Sequence, residues 1–290
     1  MQFGYFPVPN AEDYAQLLRQ VRYAEEGGLD FVGIQDHPYQ RRFLDTWTLI
    51  TALAVQTERL RYFPNVVNLA LRPPAMLAKS VASLDVMTGG RIELGLGAGY
   101  FWDGIVAMGG PRRGPGEAVD AVEEAIHICR RMWEGGPGAR FEGAHYQLRG
   151  ANPGPLPGHP VDIYLGAIGP RMLGLTGRLC DGWVPSSPYV PPDQLMESHR
   201  RIDEAAEAAG RDPGSIRRIY NLMGSITDGK RGDYLEGPVD YWVNELTSLV
   251  MDKRMDTLLF APGTSDDKQL RLFVEEVVPG VKAGVGVEPG

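Results

Sequence analysis

The sequence predicts an α/β fold, a TIM (β/α)8 barrel forming a single domain over residues 1–290, and three observations lead to this prediction. Short runs rich in Val, Ile, Leu and Tyr alternate with longer segments of helical period from one end of the chain to the other. Eight such pairs can be counted, more than an open doubly wound sheet of five or six strands needs. The length of 290 residues also suits one barrel.

Each predicted strand is short and apolar, and a helix of amphipathic period follows it. The strands are predicted at Phe3–Val8, Phe31–Asp36, Leu60–Leu69, Arg91–Gly99, Val161–Ala167, Gly182–Ser187, Ile216–Ile226 and Thr257–Pro262. The helices are predicted at Ala11–Glu26, Thr46–Thr57, Pro74–Met87, Glu117–Glu134, Pro170–Leu179, Pro192–Ala209, Val239–Leu249 and Lys268–Val281. Asn10 before the first helix and Pro192 at the start of the sixth are typical helix-start residues. A Pro- and Gly-rich excursion around 135–160, with a two-stranded piece at 141–148, precedes the fifth strand.

Composition excludes several classes of function. A formal charge of −8 and a pI near 5.2 speak against a nucleic-acid partner, because phosphates attract clustered Lys and Arg. No run of about 18 apolar residues occurs, and the N-terminus lacks the pattern of a leader, so we expect neither membrane insertion nor export. Cys129 and Cys180 lie in apolar helical patterns, which predicts buried reduced thiols in a cytoplasmic protein. No metal site is predicted.

The second strand ends in IQDHPYQ, and the last residues of this segment include side chains that can transfer protons. In a TIM barrel the active site lies at the C-terminal ends of the strands, so Asp36 and His37 are expected at the barrel mouth with Tyr39 beside them. Imidazole titrates near neutrality and a carboxylate can tune it, which indicates acid–base or cofactor-orienting work. A pair that only caps a loop is the structural alternative.

The fourth strand ends in ELGLGAGY, where Gly95, Gly97 and Gly99 alternate along the strand. A dinucleotide-binding fingerprint needs G-x-G-x-x-G at the opening of a helix, whereas Tyr100 stands at the third glycine position and the next predicted helix begins only at Glu117. Alternate glycines instead leave one strand face without side chains, so that a flat ring can approach it. Close packing between barrel strands is the alternative.

The fifth strand leads into GAIGPRMLGLTGRLCDGW, in which Gly169 and Pro170 open a helix. Free N–H groups at a helix start bind anions and Arg171 adds a positive charge, so we expect the phosphate of a ligand at this turn. A Gly–Pro turn that holds no ligand is the alternative.

Taken together, SLDVMTGGRIELGLGAGY, IQDHPYQ and GAIGPRMLGLTGRLCDGW resemble the bacterial luciferase-like monooxygenase superfamily, and the resemblance extends from Phe3 to about Lys282. Its members are TIM barrels that use reduced FMN or the deazaflavin coenzyme F420. The resemblance implies that the Asn65–Val66 peptide is a non-proline cis bond behind the isoalloxazine ring. It implies that the cofactor is bound by Asp36, Asn65, Val66, Gly97, Ala98, Gly99, Ile168, Gly169, Pro170 and Arg171.

The same resemblance makes His37 and Asp36 the catalytic residues. With F420 the step is hydride transfer, during which His37 stabilises charge or moves a proton, and with FMN it is oxygen insertion. The Asp36–His37 pair favours coenzyme F420, because FMN-using relatives more often carry other residues there. A small-molecule substrate, a homodimer and, if FMN is used, a flavin reductase as partner are also implied.

Tyr100 departs from the pattern of related deazaflavin-dependent sugar-phosphate dehydrogenases, in which a glutamate acid follows the glycines. This departure speaks against that activity. With Tyr39, Phe101 and Trp102, Tyr100 predicts an aromatic pocket wall and a rather apolar substrate. Two other classes remain open: a barrel that binds a flavin without catalysis, and a non-redox barrel enzyme that binds a phosphorylated ligand. No Lys stands at a strand end, which disfavours Schiff-base chemistry.

Overall fold

The computed structural model describes residues 1–286, which form a ring of parallel strands surrounded by helices. The strands are β1 (Gln2–Tyr5), β2 (Phe31–Ile34), β3 (Arg61–Pro64), β4 (Val67–Asn68), β5 (Leu94–Gly97), β6 (Ala139–Glu142), β7 (Gln147–Ala151), β8 (Ile163–Leu165), β9 (Gly182–Trp183), β10 (Arg217–Ile226), β11 (Glu236–Gly237) and β12 (Thr257–Pro262). The barrel order is β3-β2-β1-β12-β10-β9-β8-β5-β4, with every pair parallel. The predicted TIM barrel is confirmed.

The helices lie outside the ring, one or more after each barrel strand. They are α1 (Tyr14–Glu26), α2 (Thr46–Ala54), α3 (Pro74–Thr88), α4 (Trp102–Ala107), α5 (Pro115–Trp133), α6 (Pro170–Leu179), α7 (Pro192–Ala208), α8 (Val239–Met251), α9 (Asp267–Leu272) and α10 (Val278–Gly284). A π-helical turn, Phe273–Val277, interrupts the predicted last helix. Within the described residues no helix has both the length and the apolarity that a membrane span requires.

The third predicted strand, Leu60–Leu69, is not continuous. It divides into β3 and β4, and the Asn65–Val66 peptide between them is cis, as the resemblance implied. β3 pairs with β2, β4 pairs with β5, and a bridge between Tyr62 and Ile92 joins the two sides, so the split strand closes the barrel.

Several strands end earlier at the mouth than the sequence predicts. The first ends at Tyr5 rather than Val8, and the sixth ends at Trp183 rather than Ser187. Prolines follow within two residues of both ends, at Pro7 and Pro185, and a proline has no N–H to give to a ladder. The residues beyond these points are free to form the irregular rim of the site.

Helix α4 is absent from the sequence-based expectation, which places no helix between the fourth strand and Glu117. With six residues, it is too short to show a helical period. Gly104 within it allows close packing, because a Cβ there would lie 2.5 Å from the ring of Phe101 and 2.8 Å from that of Tyr39. The following helix, α5, starts at Pro115, two residues before the predicted start.

Two apolar layers hold the barrel together. The larger one lies between the strands and the helices, and a smaller one fills the barrel interior. The interior layer consists of Phe31, Phe63, Tyr164, Val184, Ile219 and Leu259, with Val66 packed against it. Phe63 contacts Phe31 and Tyr164 edge to face, with ring centroids 6.1 and 5.3 Å away. Because side chains fill the interior, ligand chemistry is confined to the mouth.

The cysteines behave as the sequence predicts. Cys129 and Cys180 are free and fully buried. Burial raises the pKa of both thiols to about 12, so they stay protonated at neutral pH.

A buried polar cluster ties the 135–160 excursion to the barrel. The carboxylate of Asp85 accepts hydrogen bonds from the backbone N–H groups of Ile92 (3.1 Å), Gly158 (2.7 Å) and His159 (3.2 Å). The His159 ring lies between Asp85 and Glu93, with nitrogen–oxygen distances of 3.0 and 3.1 Å. Both carboxylates are fully buried, so the end of the excursion is held by groups that have no access to water.

The Asp85→Ala variant is expected to lose about 3 kcal/mol of the free energy of unfolding, because three backbone N–H groups lose their acceptor and that of Ile92 is buried. Alanine is the best helix former, so the loss does not come from α3 itself. Urea unfolding measures it. The matched control is Glu197→Gln on α7, whose exposed carboxylate pairs with Arg200 and Arg201 and whose loss should leave the midpoint unchanged. Equal midpoints for the two variants would contradict the assignment.

Candidate active site

The parallel barrel brings all the predicted site segments to one rim. Residues 36–37 follow β2, residues 65–66 lie between β3 and β4, residues 98–99 follow β5 and residues 168–171 follow β8. Parallel strands present all their C-terminal ends on the same side of a barrel. Segments that are far apart in sequence therefore share one mouth.

Val66 occupies the space that the glycines leave. A Cβ on Gly97 would lie 2.5 Å from Val66 Cγ2, and one on Gly166 would lie 3.1 Å from the same atom. The expectation that Gly97 offers a bare face to a ligand ring is therefore wrong, because the Val66 side chain fills that face. Val66 remains partly exposed and covers the interior apolar layer. We call Val66, seated on Gly97 and Gly166, the Val66 shelf.

Gly95 allows close packing between barrel strands, which was the alternative explanation of the glycine run. A Cβ there would lie 2.1 Å from the carbonyl oxygen of Pro64, closer than any contact allows. The backbone of β5 thus approaches β3 closely just before the cis peptide. The glycine run shapes the site through the third strand rather than by direct exposure.

Gly99 ends the run with a backbone that only glycine adopts readily. Its φ is +97°, and a Cβ there would lie 3.2 Å from both Trp102 and Ile105 of α4. Ala98 and Gly99 are each partly exposed at the rim. The turn sends the chain from β5 directly into α4 and folds the Trp102 ring back over Gly99.

Asp36 is engaged by a residue that sequence reasoning missed. Arg72 donates from Nε to Asp36 Oδ2 and from Nη2 to Oδ1, both at 2.7 Å, and also pairs with Asp45 at 2.6 Å. The backbone N–H of Asn68 donates to the same Asp36 carboxylate at 3.0 Å. Asp36 is only 1% exposed. A bidentate pair of this kind fixes the direction of the carboxylate, and no spacing in the sequence indicates that Arg72 makes it.

His37 stands exposed at the rim beside Asp36. Its ring stacks on that of Tyr39, with centroids 5.5 Å apart and planes 17° apart. Desolvation by the surrounding protein lowers the pKa of the imidazole, and the opposing effect of the Asp36 charge is smaller. His37 is therefore mainly neutral at pH 7 and able to accept a proton.

Aromatic residues at the rim make two separate contacts. Phe101 meets Tyr39 edge to face, with centroids 5.2 Å apart. Tyr100 is 80% exposed and lies against Tyr189, with centroids 6.2 Å apart. Tyr189 was not predicted individually, and its position beyond the sixth strand is the only signal for it.

The segment after β8 opens a helix at the rim. Gly169 is the N-cap of α6 and Pro170 its first residue, so the N–H groups of the first turn have no acceptor within the helix. Ile168 is exposed beside them. The Arg171 guanidinium donates to Asp120 at 2.7 Å, with both side chains about half exposed. The charge of Arg171 is thus partly balanced, and the N–H groups are the main anion-binding feature here.

One buried acceptor at the mouth has no partner. The side-chain oxygen of Asn68 makes no hydrogen bond within residues 1–286, and Asn68 is 5% exposed. Val67 packs in the outer layer, so alternation along β4 directs Asn68 and Val66 to the inside of the barrel. An apolar shelf beside an unpartnered acceptor fits a flat ring with an N–H edge. Within residues 1–286 no three His, Cys, Asp or Glu side chains are grouped to hold a metal ion.

Comparisons with known proteins identify the relatives of this chain. The chain is 32% identical to 5,10-methylenetetrahydromethanopterin reductase of Archaeoglobus fulgidus over 230 residues, 78% of this chain and 64% of that relative. It thus spans less than two thirds of that reductase. It is 28% identical to the F420-dependent glucose-6-phosphate dehydrogenase of Gordonia bronchialis over 231 residues, 77% of this chain and 68% of the relative.

A solved structure matches the fold. An F420-dependent secondary alcohol dehydrogenase, in complex with an F420-acetone adduct, superimposes with a TM-score of 0.86 at 20% identity, covering 97% of this chain and 98% of the other. The family model described as luciferase-like monooxygenase matches residues 1–231. The fold, the segments gathered at the rim and this match lead to one conclusion: the chain belongs to the luciferase-like monooxygenase family.

Proposed function

We propose that this protein is an oxidoreductase that binds a flavin-type ring on the Val66 shelf, coenzyme F420 in preference to FMN. One observation carries the proposal: a partly exposed apolar shelf lies at the same rim as a mainly neutral His37 and an anion-binding helix start. A tricyclic ring needs an apolar surface, and its phosphate tail needs free N–H donors. We propose the same cofactor-binding residues that the family resemblance implies, with Gly97 acting through Val66.

The cofactor, when bound, supplies the hydride chemistry, and the protein provides orientation and proton transfer. For alcohol oxidation the bound cofactor would supply the hydride acceptor, and the His37 imidazole would take up the proton of the substrate hydroxyl. For ketone reduction the reduced cofactor would supply the hydride, and the protonated His37 imidazole would give its proton to the carbonyl oxygen. Asp36, held by Arg72, cannot reach solvent for proton exchange, so we assign it to orienting the loop that carries His37.

The rim favours a small and rather apolar substrate. Tyr39, Tyr100, Phe101 and Tyr189 present aromatic surface, and Trp102 closes the wall behind Gly99. The residues of this wall carry no charge, so a phosphorylated sugar would find no partner there. Simple secondary alcohols and ketones match both the apolar wall and the single proton-transfer residue.

Cofactor choice is tested by titrating the protein with F420 and with FMN while the absorbance shift is followed. We expect saturable F420 binding at micromolar concentration and weaker binding of FMN. Saturable micromolar FMN binding with no F420 binding would reverse the choice of cofactor. Binding without turnover on a panel of alcohols and ketones would favour a flavin-binding barrel that does not catalyse a reaction.

The proposed phosphate site is tested by placing a negatively charged side chain at Gly169. A Cβ at Gly169 meets nothing within 4 Å and the backbone φ of −76° suits any residue, so larger side chains fit there. Gly169→Glu is expected to raise the cofactor Kd by about tenfold, because its carboxylate repels the phosphate. Gly169→Ala is the uncharged control and should stay within about twofold of the original Kd. If the two variants bind equally well, the phosphate lies elsewhere.

The finer assignments follow from the family and belong to the same proposal. We propose a cytoplasmic homodimer, with one domain over residues 1–290. A flavin reductase is a partner only if the titration selects FMN.

A further inference from the structure

A buried amide network crosses the barrel from Asn65, the residue that precedes Val66 in the chain. Asn65 Nδ2 donates to Asn221 Oδ1 at 2.7 Å, and Asn221 Nδ2 donates to Asn65 Oδ1 at 3.3 Å and to Ser186 Oγ at 3.0 Å. The two asparagines are 156 residues apart in sequence. Asn221 is 2% exposed and lies in the middle of β10.

The network restricts where Asn65 can place its side chain. A Cβ on Gly33 of β2 would lie 2.9 Å from Asn65 Nδ2, so the amide is confined on that side as well. Asn65 is therefore held between β2, the neighbouring strand, and β10, which lies across the barrel. The next residue in the chain is Val66, whose side chain rises from this anchored point into the mouth.

Asn65 and Asn221 each follow, by two residues along the chain, a member of the apolar interior layer, Phe63 and Ile219. That layer consists of aromatic and aliphatic side chains, so apolar residues could have filled the position of Asn221. A reciprocal amide pair has a defined direction, whereas an apolar contact tolerates several arrangements. The network is therefore better suited to fixing the orientation of the Asn65 side chain than to filling space.

We propose that Asn221 is a positioning residue of the cofactor site, acting through Asn65 to hold the Val66 shelf at the height at which the ring is bound. This inference rests on the proposed function. Asn221 itself touches neither cofactor nor substrate. Asn221 restricts the motion of Val66 before the ring binds. The conformational entropy that is lost on binding is therefore smaller.

The test is a double-mutant cycle with Asn65→Ala, Asn221→Ala and the double variant, read by the cofactor Kd from absorbance titration. Asn221→Ala is expected to raise the Kd by about tenfold. In the Asn65→Ala background, the same change should have no further effect, because its route to Val66 is already lost. Additive effects of the two changes would overturn the proposal.

Ser187→Ala is the matched control for a loss of stability alone. Ser187 Oγ accepts from the backbone N–H of Met223 at 3.1 Å, also between the sixth and seventh barrel positions, without contacting Asn65. Urea unfolding should show a loss for both Ser187→Ala and Asn221→Ala, but only Asn221→Ala should change the Kd. If Asn221→Ala does not fold, Asn221→Ser, which is too short to reach Asn65, takes its place. Unchanged Kd for the Asn221 variant refutes this inference alone, whereas a parent protein that binds neither F420 nor FMN refutes the proposed function as well.

Discussion

His37→Gln is expected to lower kcat for oxidation of a small secondary alcohol with F420 by about 10²- to 10⁴-fold, the usual contribution of a positioned acid–base group. Glutamine retains hydrogen bonding but cannot take up the hydroxyl proton. The cofactor Kd should stay within about twofold, because the shelf and the helix start are unchanged. Steady-state kinetics and absorbance titration measure the two effects separately.

The pH profile of the parent protein provides an independent check. The environment lowers the pKa of His37 below its ordinary value of 6.5, so the neutral base persists as the pH falls through 6.5. The decline of kcat/KM for alcohol oxidation with falling pH should therefore be centred below 6.5, the ordinary pKa of histidine. The control is His127→Gln on the exposed surface of α5, which should leave both rate and profile intact. A decline that starts well above pH 7 would assign the proton transfer to another group.

Gly95→Ala is expected to lower the free energy of unfolding by about 2 to 3 kcal/mol or to prevent folding altogether. Its Cβ would lie 2.1 Å from the carbonyl oxygen of Pro64, and backbone cannot move aside as a side chain can. Gly97→Ala meets the Val66 side chain at 2.5 Å instead. We expect that variant to lose less stability but to raise the cofactor Kd by about tenfold, because Val66 is displaced.

Gly174→Ala in α6 is the control for the effect of replacing a glycine by alanine at a position without close contacts. A Cβ there meets only the Arg178 guanidinium at 3.6 Å, an ordinary contact, and alanine is favoured in a helix. Its stability should be equal to or slightly above that of the parent protein. If Gly95→Ala matches this control in urea unfolding, the close approach of β5 to the third strand does not limit stability.

Local signals predicted most of the fold. α6 at Pro170–Leu179 and the last barrel strand at Thr257–Pro262 were predicted to the residue. Proline at a helix start and a short apolar run act within a few residues, so they can be recognised without tertiary contacts. The third strand and α4 were predicted less well, because a break at a cis peptide and a helix of six residues leave no period to detect.

The sequence predicted which segments of the chain form the candidate site, but not which residues contact one another there. Parallel topology brings the residues after each strand to one rim, so naming the strands was enough to bring Asp36, His37 and the Asn65–Val66 peptide to the mouth. The side chains that hold Asp36 and Asn65 lie far away in the chain: Arg72 is 36 positions from Asp36, and Asn221 is 156 positions from Asn65. Hydrogen bonds over such separations have no fixed spacing in the chain.

The sequence by itself determined the barrel, the rim and the types of residue available there, since these depend on periodicity and on strand order. Only the tertiary structure decided that Val66 fills the face of Gly97, that Arg72 holds Asp36 and that Asn221 anchors Asn65. Each of these is a close contact between elements remote in sequence. Their geometry depends on how the whole ring closes, and that closure is a property of all the strands together.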